Sequence, residues 1–363
     1  MAIDLTGISN RNEFFSNHYL SAILEGDLKE VFQKWAALEE EKGIKPPQDQ
    51  LSGLRRSYFQ ERNAFLTERS GENRLQMERS FTRQLLDVLG YQTQTSFLSL
   101  DDGQALPILG GIKNASGVPQ LCILEALSDP SDPVDPLETA LSPLLYEGAD
   151  VDGDPIAREL SLDDIITSLV FTQSEPPRWV LVVSFDSVVL IDRSKWPQKR
   201  LLQFDVNEIL DRRETSTLKA MAALLHRDSV CPGEGNPLID TLDENSHRHA
   251  HAVSEDLKYS VREAIELLGN EAVWYIREVR KERIYERDLA EPLSRECLRY
   301  LYRMLFLFYL EARPELGYAP MGSDAYRTGY SLESLRDLEM TPLTTDEARN
   351  GTFLHDSLAT IFR

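Results

Sequence analysis

Residues 298–310, LRYLYRMLFLFYL, constrain the fold of this chain more than any other stretch. Leu298, Leu301 and Leu305 recur at helical spacing, and large apolar side chains fill the remaining faces of the same helix. Such a helix would be about 20 Å long, shorter than the ~30 Å hydrocarbon core of a bilayer. We therefore expect a buried central helix of a helical bundle, and we expect it to end before Pro314.

The cysteines and the N-terminus indicate a reducing compartment. Cys122, Cys231 and Cys297 are far apart, and none belongs to a CxxC pair, so neither a disulfide framework nor a cysteine zinc site is predicted. The first residues, MAIDLTGISNRNEFF, lack the basic region and the apolar run of a signal peptide. We expect a cytoplasmic protein with no membrane partner.

The net charge limits the classes of partner. The formal charge of the chain is −21 at pH 7. Affinity for nucleic acid rests largely on neutralising phosphates with Lys and Arg, so the chain as a whole is a poor electrostatic partner for DNA or anionic lipid. Any contact with DNA would therefore need a local basic patch.

Length and periodicity divide the chain into three expected regions. A chain of 363 residues is too long for one ordinary core. Residues 1–74 have helical periodicity, residues 75–205 combine short apolar runs with helices, and residues 206–363 are helical again. We predict a mixed α+β or α/β fold, with N-terminal helices, an α/β domain and an all-helical connector.

Local signals add detail to the α/β region. Residues 91–100 are expected to form a strand, and two apolar runs are expected to form a hairpin that turns near Asp186-Ser187. The acidic segment 129–154 is interrupted by prolines and is expected to be a mobile loop.

Alternating histidines lie before a predicted helix start, at His247, His249 and His251. In an extended segment these side chains would share one side and could bind zinc. The segment is expected to be a polar loop before a helix that begins at Ser254 and is interrupted at Gly269. A solvated loop is the favoured interpretation, because a metal site also needs fixed geometry and supporting contacts.

The α/β region carries part of a pattern used for metal-dependent phosphodiester cleavage. Such nucleases use a helix Glu, a strand Asp and a strand Glu-x-Lys, whose carboxylates hold Mg²⁺ and whose lysine orients the attacking water. Glu78 lies on a predicted helix and Glu125 ends a predicted strand, but Leu127 takes the place of the lysine. Lys113 is the nearest substitute. We expect a degenerate nuclease-like domain without nuclease activity.

One basic run is a candidate for contact with DNA. Its four cations lie close together on a predicted helix, at Arg277, Arg280, Lys281 and Arg283. Several of them could meet phosphate from one side of that helix. Glutamates alternate with these cations, and ion pairing within the helix, worth ~0.3 kcal/mol per pair, is the favoured interpretation.

Six strings, taken in order, carry a resemblance to a known family. They are RNEFFSNHYL, RWVLVVSFDSVVLIDRSKW, LLHRDSV, LDENSHRHAHAVSEDLKYSVREAIELLGNEAVW, LYRMLFLFYLEAR and YSLESLRDLE. Together they resemble the N-terminal half of large bacterial DNA adenine methyltransferases of phage defence, the type IIG restriction-modification enzymes and especially the methylase of DISARM-type systems. The resemblance spans nearly the whole chain and rests on the ordered set.

The resemblance implies a parent enzyme that uses S-adenosylmethionine and flips the target adenine into its catalytic pocket. The family's catalytic motif is an Asn or Asp followed by two prolines and an aromatic residue. Here the Pro-Pro pairs follow Lys45 and Glu175, and Asn236-Pro237 precedes Leu238, so the motif is absent. The glycine-rich cofactor strand is also missing. We expect no cofactor in this chain, and we expect it to be the N-terminal part of a longer enzyme or the product of a split gene.

In the type IIG enzymes the equivalent N-terminal domain is the nuclease, so the departure at Leu127 suggests the branch that only methylates. The predicted function is therefore the noncatalytic N-terminal region of a DNA adenine methyltransferase, which scaffolds the enzyme and contacts DNA or other defence-system proteins. Two alternatives remain. One is an acidic protein-interaction module of a defence complex, and the other is a metal-dependent DNA endonuclease domain.

Overall fold

The computed structural model describes residues 4–129, 134–146, 154–156, 160–283, 289–336, 338 and 341–362. The chain forms two compact units, Met1–His251 (unit 1) and Ala252–Arg363 (unit 2). Unit 1 combines helices and strands, and the described part of unit 2 is helical, so the mixed α+β class is confirmed. The units differ from the three expected regions, because the N-terminal helices and the helices after residue 205 both belong to unit 1.

The described strands all lie in unit 1. They are β1 (Ile8–Arg11), β2 (Ser96–Ser99), β3 (Gln104–Ile108), β4 (Gly110–Lys113), β5 (Pro119–Glu125), β6 (Asp154–Pro155), β7 (Trp179–Val183), β8 (Ser187–Asp192) and β9 (Leu201–Asp205). Six of these strands form the main sheet in the order β1-β9-β8-β7-β5-β4, and the other three form a second sheet in the order β2-β3-β6. In the main sheet β5 and β7 are parallel, whereas all other neighbours are antiparallel.

The hairpin prediction is confirmed, and the strand prediction for 91–100 is too long. Strands β7 and β8 pair in register around the turn that contains Asp186. Strand β2 begins only at Ser96. Tyr91 lies before it, buried, and its hydroxyl donates to the carbonyl of Leu225 (2.9 Å). The predicted loop 129–154 lies partly outside the described residues, and within the described part Pro143–Tyr146 forms a 3-10 turn.

The helices of unit 1 cover both faces of the main sheet. They are α1 (Asn17–Ala22), α2 (Leu24–Asp27), α3 (Lys29–Lys42), α4 (Pro47–Thr67), α5 (Gly71–Val88), α6 (Leu162–Ile165), α7 (Val206–Arg212), α8 (Thr215–Leu225) and α9 (Arg227–Val230). Alternate residues of β7 belong to two different cores: Trp179 and Leu181 pack with α4, α5 and α8, whereas Val180 packs with α6. Strand geometry explains this division, since successive side chains point to opposite faces.

One continuous helix, α10 (Leu238–Trp274), replaces the predicted loop and helix start. The expectations of a polar loop at the histidines, a start at Ser254 and an interruption at Gly269 are therefore wrong. A single glycine costs a helix only about 1 kcal/mol relative to alanine, and no proline occurs between Leu238 and Trp274. Helical propensity along the run outweighs these local stop and start signals.

Residues 252–274 of α10 belong to unit 2. The described helices that follow are α11 (Ala290–Glu311), α12 (Asp324–Gly329), α13 (Leu332–Arg336), α14 (Asp346–Arg349) and α15 (Phe353–Ile361). Helix α11 contains the apolar stretch and ends before Pro314, as expected. Its predicted burial is wrong: Tyr302 is 72% and Phe306 53% exposed, whereas Leu301 is buried. In the described part of the chain, no helix has the combination of length and apolar character that crossing a bilayer requires.

Candidate functional site

Two carboxylates predicted from the sequence meet at one end of the main sheet. Glu78 lies on α5, and Glu125 is the last residue of β5. Both are buried, with 4% and 6% of their surface exposed. The negative charge of Glu125 acts on the carboxyl group of Glu78, so the two groups share one environment. We call Glu78, Arg79, Glu125 and Ser128 the carboxylate cluster.

The side chain of Glu78 is fully occupied by hydrogen bonds from two separate loops. Its Oε1 accepts from the backbone N–H of Phe185 (2.7 Å) and from the hydroxyl of Ser128 (3.2 Å). Its Oε2 accepts from the backbone N–H of Ser128 (3.3 Å). Glu78 therefore joins α5 to the segment after β5 and to the turn between β7 and β8.

Burial raises the pKa of Glu78 to about 8. Desolvation is the main cause, because a low-dielectric environment penalises the charged form. The hydrogen bonds from Ser128 and Phe185 oppose this shift, and the nearby charge of Glu125 adds to it. At neutral pH the protonated carboxyl predominates, and it can donate to the Ser128 hydroxyl.

Glu125 is neutralised by the residue that follows Glu78. Arg79 Nε donates to Glu125 Oε1 and Arg79 Nη2 donates to Oε2, both at 2.7 Å. A two-pronged arginine–carboxylate pair of this kind is strong and fixed in orientation. The Arg79 side chain is 23% exposed and that of Glu125 only 6%, so the pair is largely buried.

This geometry opposes metal binding at the carboxylate cluster. A divalent cation would have to displace the Arg79 guanidinium from Glu125 and remove the proton from Glu78. Its ligands must be deprotonated, and a fixed positive charge beside them raises the cost of binding. Among the residues that the structure describes, no group of three or more His, Cys, Asp or Glu side chains could hold a metal ion.

Lys113, the expected substitute for the nuclease lysine, is far from the carboxylate cluster. It is the last residue of β4 and pairs with Pro119, at the opposite end of β5 from Glu125. Glu125 lies six positions after Pro119 along the strand, which corresponds to about 20 Å. The hypothesis that Lys113 acts with Glu78 and Glu125 is therefore wrong, because antiparallel pairing carries β4 away from that end of the sheet.

A second ionic network lies beside the carboxylate cluster, and no sequence pattern predicted it. Asp186, in the β7–β8 turn, accepts from the Tyr58 hydroxyl (2.6 Å) and from both Nε and Nη2 of Arg62 (3.0 Å each). Burial, together with the charge of Asp186, raises the pKa of Tyr58. An adjacent cavity of about 490 Å³ is lined by Arg62, Ser128 and Asp186. These contacts fix the turn that supplies the Phe185 N–H.

The three histidines do not converge. On a helix, His247 and His251 lie one turn apart, whereas His249 is rotated by about 200° from His247. His249 packs beside Tyr19, with ring centroids 6.2 Å apart, and His247 Nε2 is 3.6 Å from Asp243 Oδ1. The zinc alternative loses its geometric basis, because it required an extended segment.

The basic run lies at the end of a helix and not along one face. The π-helical turn Tyr275–Val279 follows α10, and Lys281 has a left-handed backbone with φ of 56°. All four cations are exposed, and ion pairs join Arg277 and Lys281 to Glu278, and Arg280 to Glu282. The ion pairs fit the interpretation favoured from sequence, and contact with DNA stays a prediction for Arg277, Arg280, Lys281 and Arg283.

No protein-family model, curated protein or solved structure matches this chain. The functional argument therefore rests on the residues and on their geometry. The sequence predicted the positions of Glu78 and Glu125. It did not predict Arg79, Ser128 or Asp186, since each acts through a partner at least 46 residues away.

Proposed function

We propose that this chain is a noncatalytic scaffolding region of an S-adenosylmethionine-dependent DNA adenine methyltransferase of a phage-defence system. The Arg79–Glu125 ion pair is the observation that carries the noncatalytic assignment. It places a guanidinium group where a metal-dependent nuclease would need a cation. The family resemblance supplies the parent activity, and the cofactor would bind outside this chain.

The order of elements in unit 1 supports a degenerate nuclease-like fold. Helix α5 precedes the strands β2 to β5, and α6 then leads to β7, which is parallel to β5. This arrangement brings a helix carboxylate, Glu78, to the carboxyl end of a central strand, where Glu125 lies. Such a position would suit a shared metal if both carboxylates were free and ionised.

The contacts of the carboxylate cluster support a scaffolding role. Glu78 and Arg79 join α5 to three other segments of unit 1 through hydrogen bonds of 2.7–3.3 Å. Unit 2 adds a surface for partner contact, because α11 exposes Leu298, Tyr302, Phe306 and Tyr309. Exposed apolar side chains on this scale are typical of surfaces that pack against another protein or domain.

Methyl transfer tests the parent activity. The protein encoded by the intact reading frame that contains this chain would be purified. It would then be supplied with S-adenosylmethionine and phage DNA. We expect adenine methylation in the wild type, and equal methylation in a Glu78→Gln, Glu125→Gln double variant, because these carboxylates take no part in the chemistry. Absence of methyl transfer by the wild type would show that the proposal is wrong.

Plasmid cleavage tests the noncatalytic assignment. Wild type and Glu125→Ala would be incubated with supercoiled plasmid and Mg²⁺ or Mn²⁺. We expect no cleavage above background by either protein. Cleavage by the wild type that Glu125→Ala abolishes would establish the endonuclease alternative instead.

A second candidate function is an acidic protein-interaction module. A cavity of about 760 Å³ in unit 1 is lined by four carboxylates, those of Asp27, Glu30, Asp228 and Glu234, together with Lys34. Its negative charge suits a basic partner protein and repels DNA. A pull-down that retains a basic defence-system protein at physiological salt and loses it at high salt, with no retention of DNA, would favour this function over the first.

A further inference from the structure

A cavity at the other end of the main sheet differs in charge from the rest of this acidic chain. Its volume is about 390 Å³, and its lining includes Lys113, Arg178 and Arg227. Asn114, Gln120 and Cys231 add polar atoms, and no Asp or Glu belongs to the lining among the described residues. We call it the basic cavity. Carboxylates outside the lining pair with two of these cations, Asp192 and Asp240 with Arg178, and Asp228 with Arg227.

The three cations reach the basic cavity from three different elements. Lys113 ends β4, Arg178 directly precedes β7, and Arg227 begins α9. The charges of Arg178 and Arg227 both act on the thiol of Cys231, opposing the burial that raises its pKa. The two guanidinium groups therefore both lie close to Cys231.

Carboxylates outside the lining fix Arg178 in place. Its Nη1 donates to Asp240 (2.9 Å) and its Nη2 donates to Asp192 (3.1 Å), which is buried. The guanidinium carbon also lies 4.6 Å from the centre of the Trp179 ring. Arginine carries five N–H donors, and no acceptor for its Nε–H occurs in the described part of the chain.

Arg227 and Lys113 have N–H donors that no described residue accepts. The one described acceptor of the Arg227 guanidinium is Asp228, at a long 3.5 Å from Nη1. Arg227 Nη2 lies near Gly233, which contributes no side chain to the cavity. Lys113 is exposed, and it has no ion-pair partner among the residues described. These groups can donate to an anion without breaking a strong internal contact.

Two other cavities of unit 1 differ from the basic cavity, because carboxylates belong to their lining. The cavity near the carboxylate cluster is lined by Arg62 but also by Asp129, Glu138 and Asp186. The cavity that contains Lys34 is lined by four carboxylates. A volume of about 390 Å³ also lies within the range of roughly 300–1,000 Å³ typical of ligand sites.

We propose that the basic cavity binds a phosphate group, presented by a nucleotide or by the backbone of a nucleic acid. Arginine forks match the oxygens of phosphate, and lysine adds a point charge. The proposal goes beyond the scaffolding function and does not rest on methyl transfer. It also assigns Lys113 a role that differs from the nuclease role expected from sequence.

Four probes distinguish the source of the phosphate. Fluorescence anisotropy would measure binding of a labelled duplex and a labelled single strand, and calorimetry would measure binding of ATP and inorganic phosphate. The variants are Lys113→Gln and Arg227→Gln. The matched control is Lys34→Gln, which removes the same charge from the acidic cavity. Circular dichroism and thermal unfolding would confirm that each variant is folded.

We expect at least one probe to bind the wild type, and each cavity substitution to weaken that binding about tenfold or more, as for the loss of a charged hydrogen bond. The control should bind within about twofold of the wild type, since a lysine remote from the ligand contributes little. Binding of DNA alone identifies the nucleic-acid backbone, and binding of ATP and phosphate identifies a nucleotide.

Two results would overturn the proposal: failure of all four probes to bind the wild type at millimolar concentration, or equal binding by wild type and Lys113→Gln. Lys113 is exposed at the end of a strand, so we expect Lys113→Gln to fold. This variant therefore tests phosphate binding even if Arg227→Gln does not fold.

Discussion

Unit 1 buries its large apolar side chains, whereas unit 2 exposes many of its own. The largest fully buried side chains, including Trp179, Tyr58 and Phe185, belong to unit 1. Apart from Ile44, Leu66 and Val134, the exposed large apolar side chains lie in unit 2. Both units have apolar residues at helical or strand spacing. Periodicity alone therefore does not decide burial.

The sheet explains the difference. The main sheet offers two broad faces, and helices on each side create two cores. Unit 2 has no described strand, and besides α11 and the second part of α10, residues 252–274, its described helices have between four and nine residues. These short helices offer little surface to cover α11. A helix becomes buried only when neighbouring elements supply enough area to pack against.

The largest expected effect is Phe185→Ala in the core of unit 1. Phe185 is fully buried and stacks on Phe65 and Phe81, with ring centroids 4.7 and 5.4 Å apart. We expect the free energy of unfolding to fall by about 3–5 kcal/mol. Urea unfolding followed by tryptophan fluorescence measures it. Phe306→Ala, on the exposed face of α11, is the matched control, and equal losses would contradict the comparison.

The next effect is a pH dependence that Glu78 controls. Its pKa is about 8 in the folded protein, against an ordinary value of 4.5. Between these values the folded state binds more protons than the unfolded state, so stability falls as pH rises and levels off above about pH 8. Each pKa unit corresponds to about 1.4 kcal/mol. Glu78→Gln should remove this slope and be more stable than the wild type at pH 9.

Melting temperatures between pH 5 and pH 9 would test the Glu78 prediction. Glu40→Gln, which removes an exposed carboxylate from α3, is the control and should keep the slope of the wild type. A slope in Glu78→Gln equal to that of the wild type would show that another group causes it.

A smaller effect is expected from Arg79→Ala, which leaves Glu125 buried without its guanidinium partner. We expect a loss of about 2 kcal/mol, below the value for a fully buried pair because Arg79 is partly exposed. Replacing both partners, with Arg79→Met and Glu125→Leu, should restore most of this stability. Arg327→Ala breaks an exposed pair in unit 2 and should cost less than about 0.5 kcal/mol. Chemical denaturation of the four proteins distinguishes these outcomes.

The smallest effect on stability is expected on the exposed face of α11. Tyr302→Ser and Phe306→Ser should each change the free energy of unfolding by less than about 0.5 kcal/mol, because these side chains are already in water. Binding of the dye ANS should fall in both variants. If either substitution lowered the free energy of unfolding by several kcal/mol, this face of α11 would be packed against another element. The two units would then not differ in the burial of their apolar side chains.

The sequence was sufficient for elements whose signals are local. The β7–β8 hairpin and the end of α11 before Pro314 follow from a turn and a proline. It was also sufficient to place Glu78 on a helix and Glu125 at a strand end. The continuous helix α10 was missed, because weak stop and start signals were given more weight than helical propensity.

The tertiary structure decided what those residues can do. Strand pairing placed Lys113 at the far end of β5, beside Arg178 and Arg227. Packing of α5 against the sheet brought Arg79 into an ion pair with Glu125, and this pair opposes metal binding at the carboxylate cluster. Local sequence determines helices, strands and turns through short-range sterics and hydrogen bonds. The ionisation and accessibility of a side chain depend on distant segments, so only the folded chain determines them.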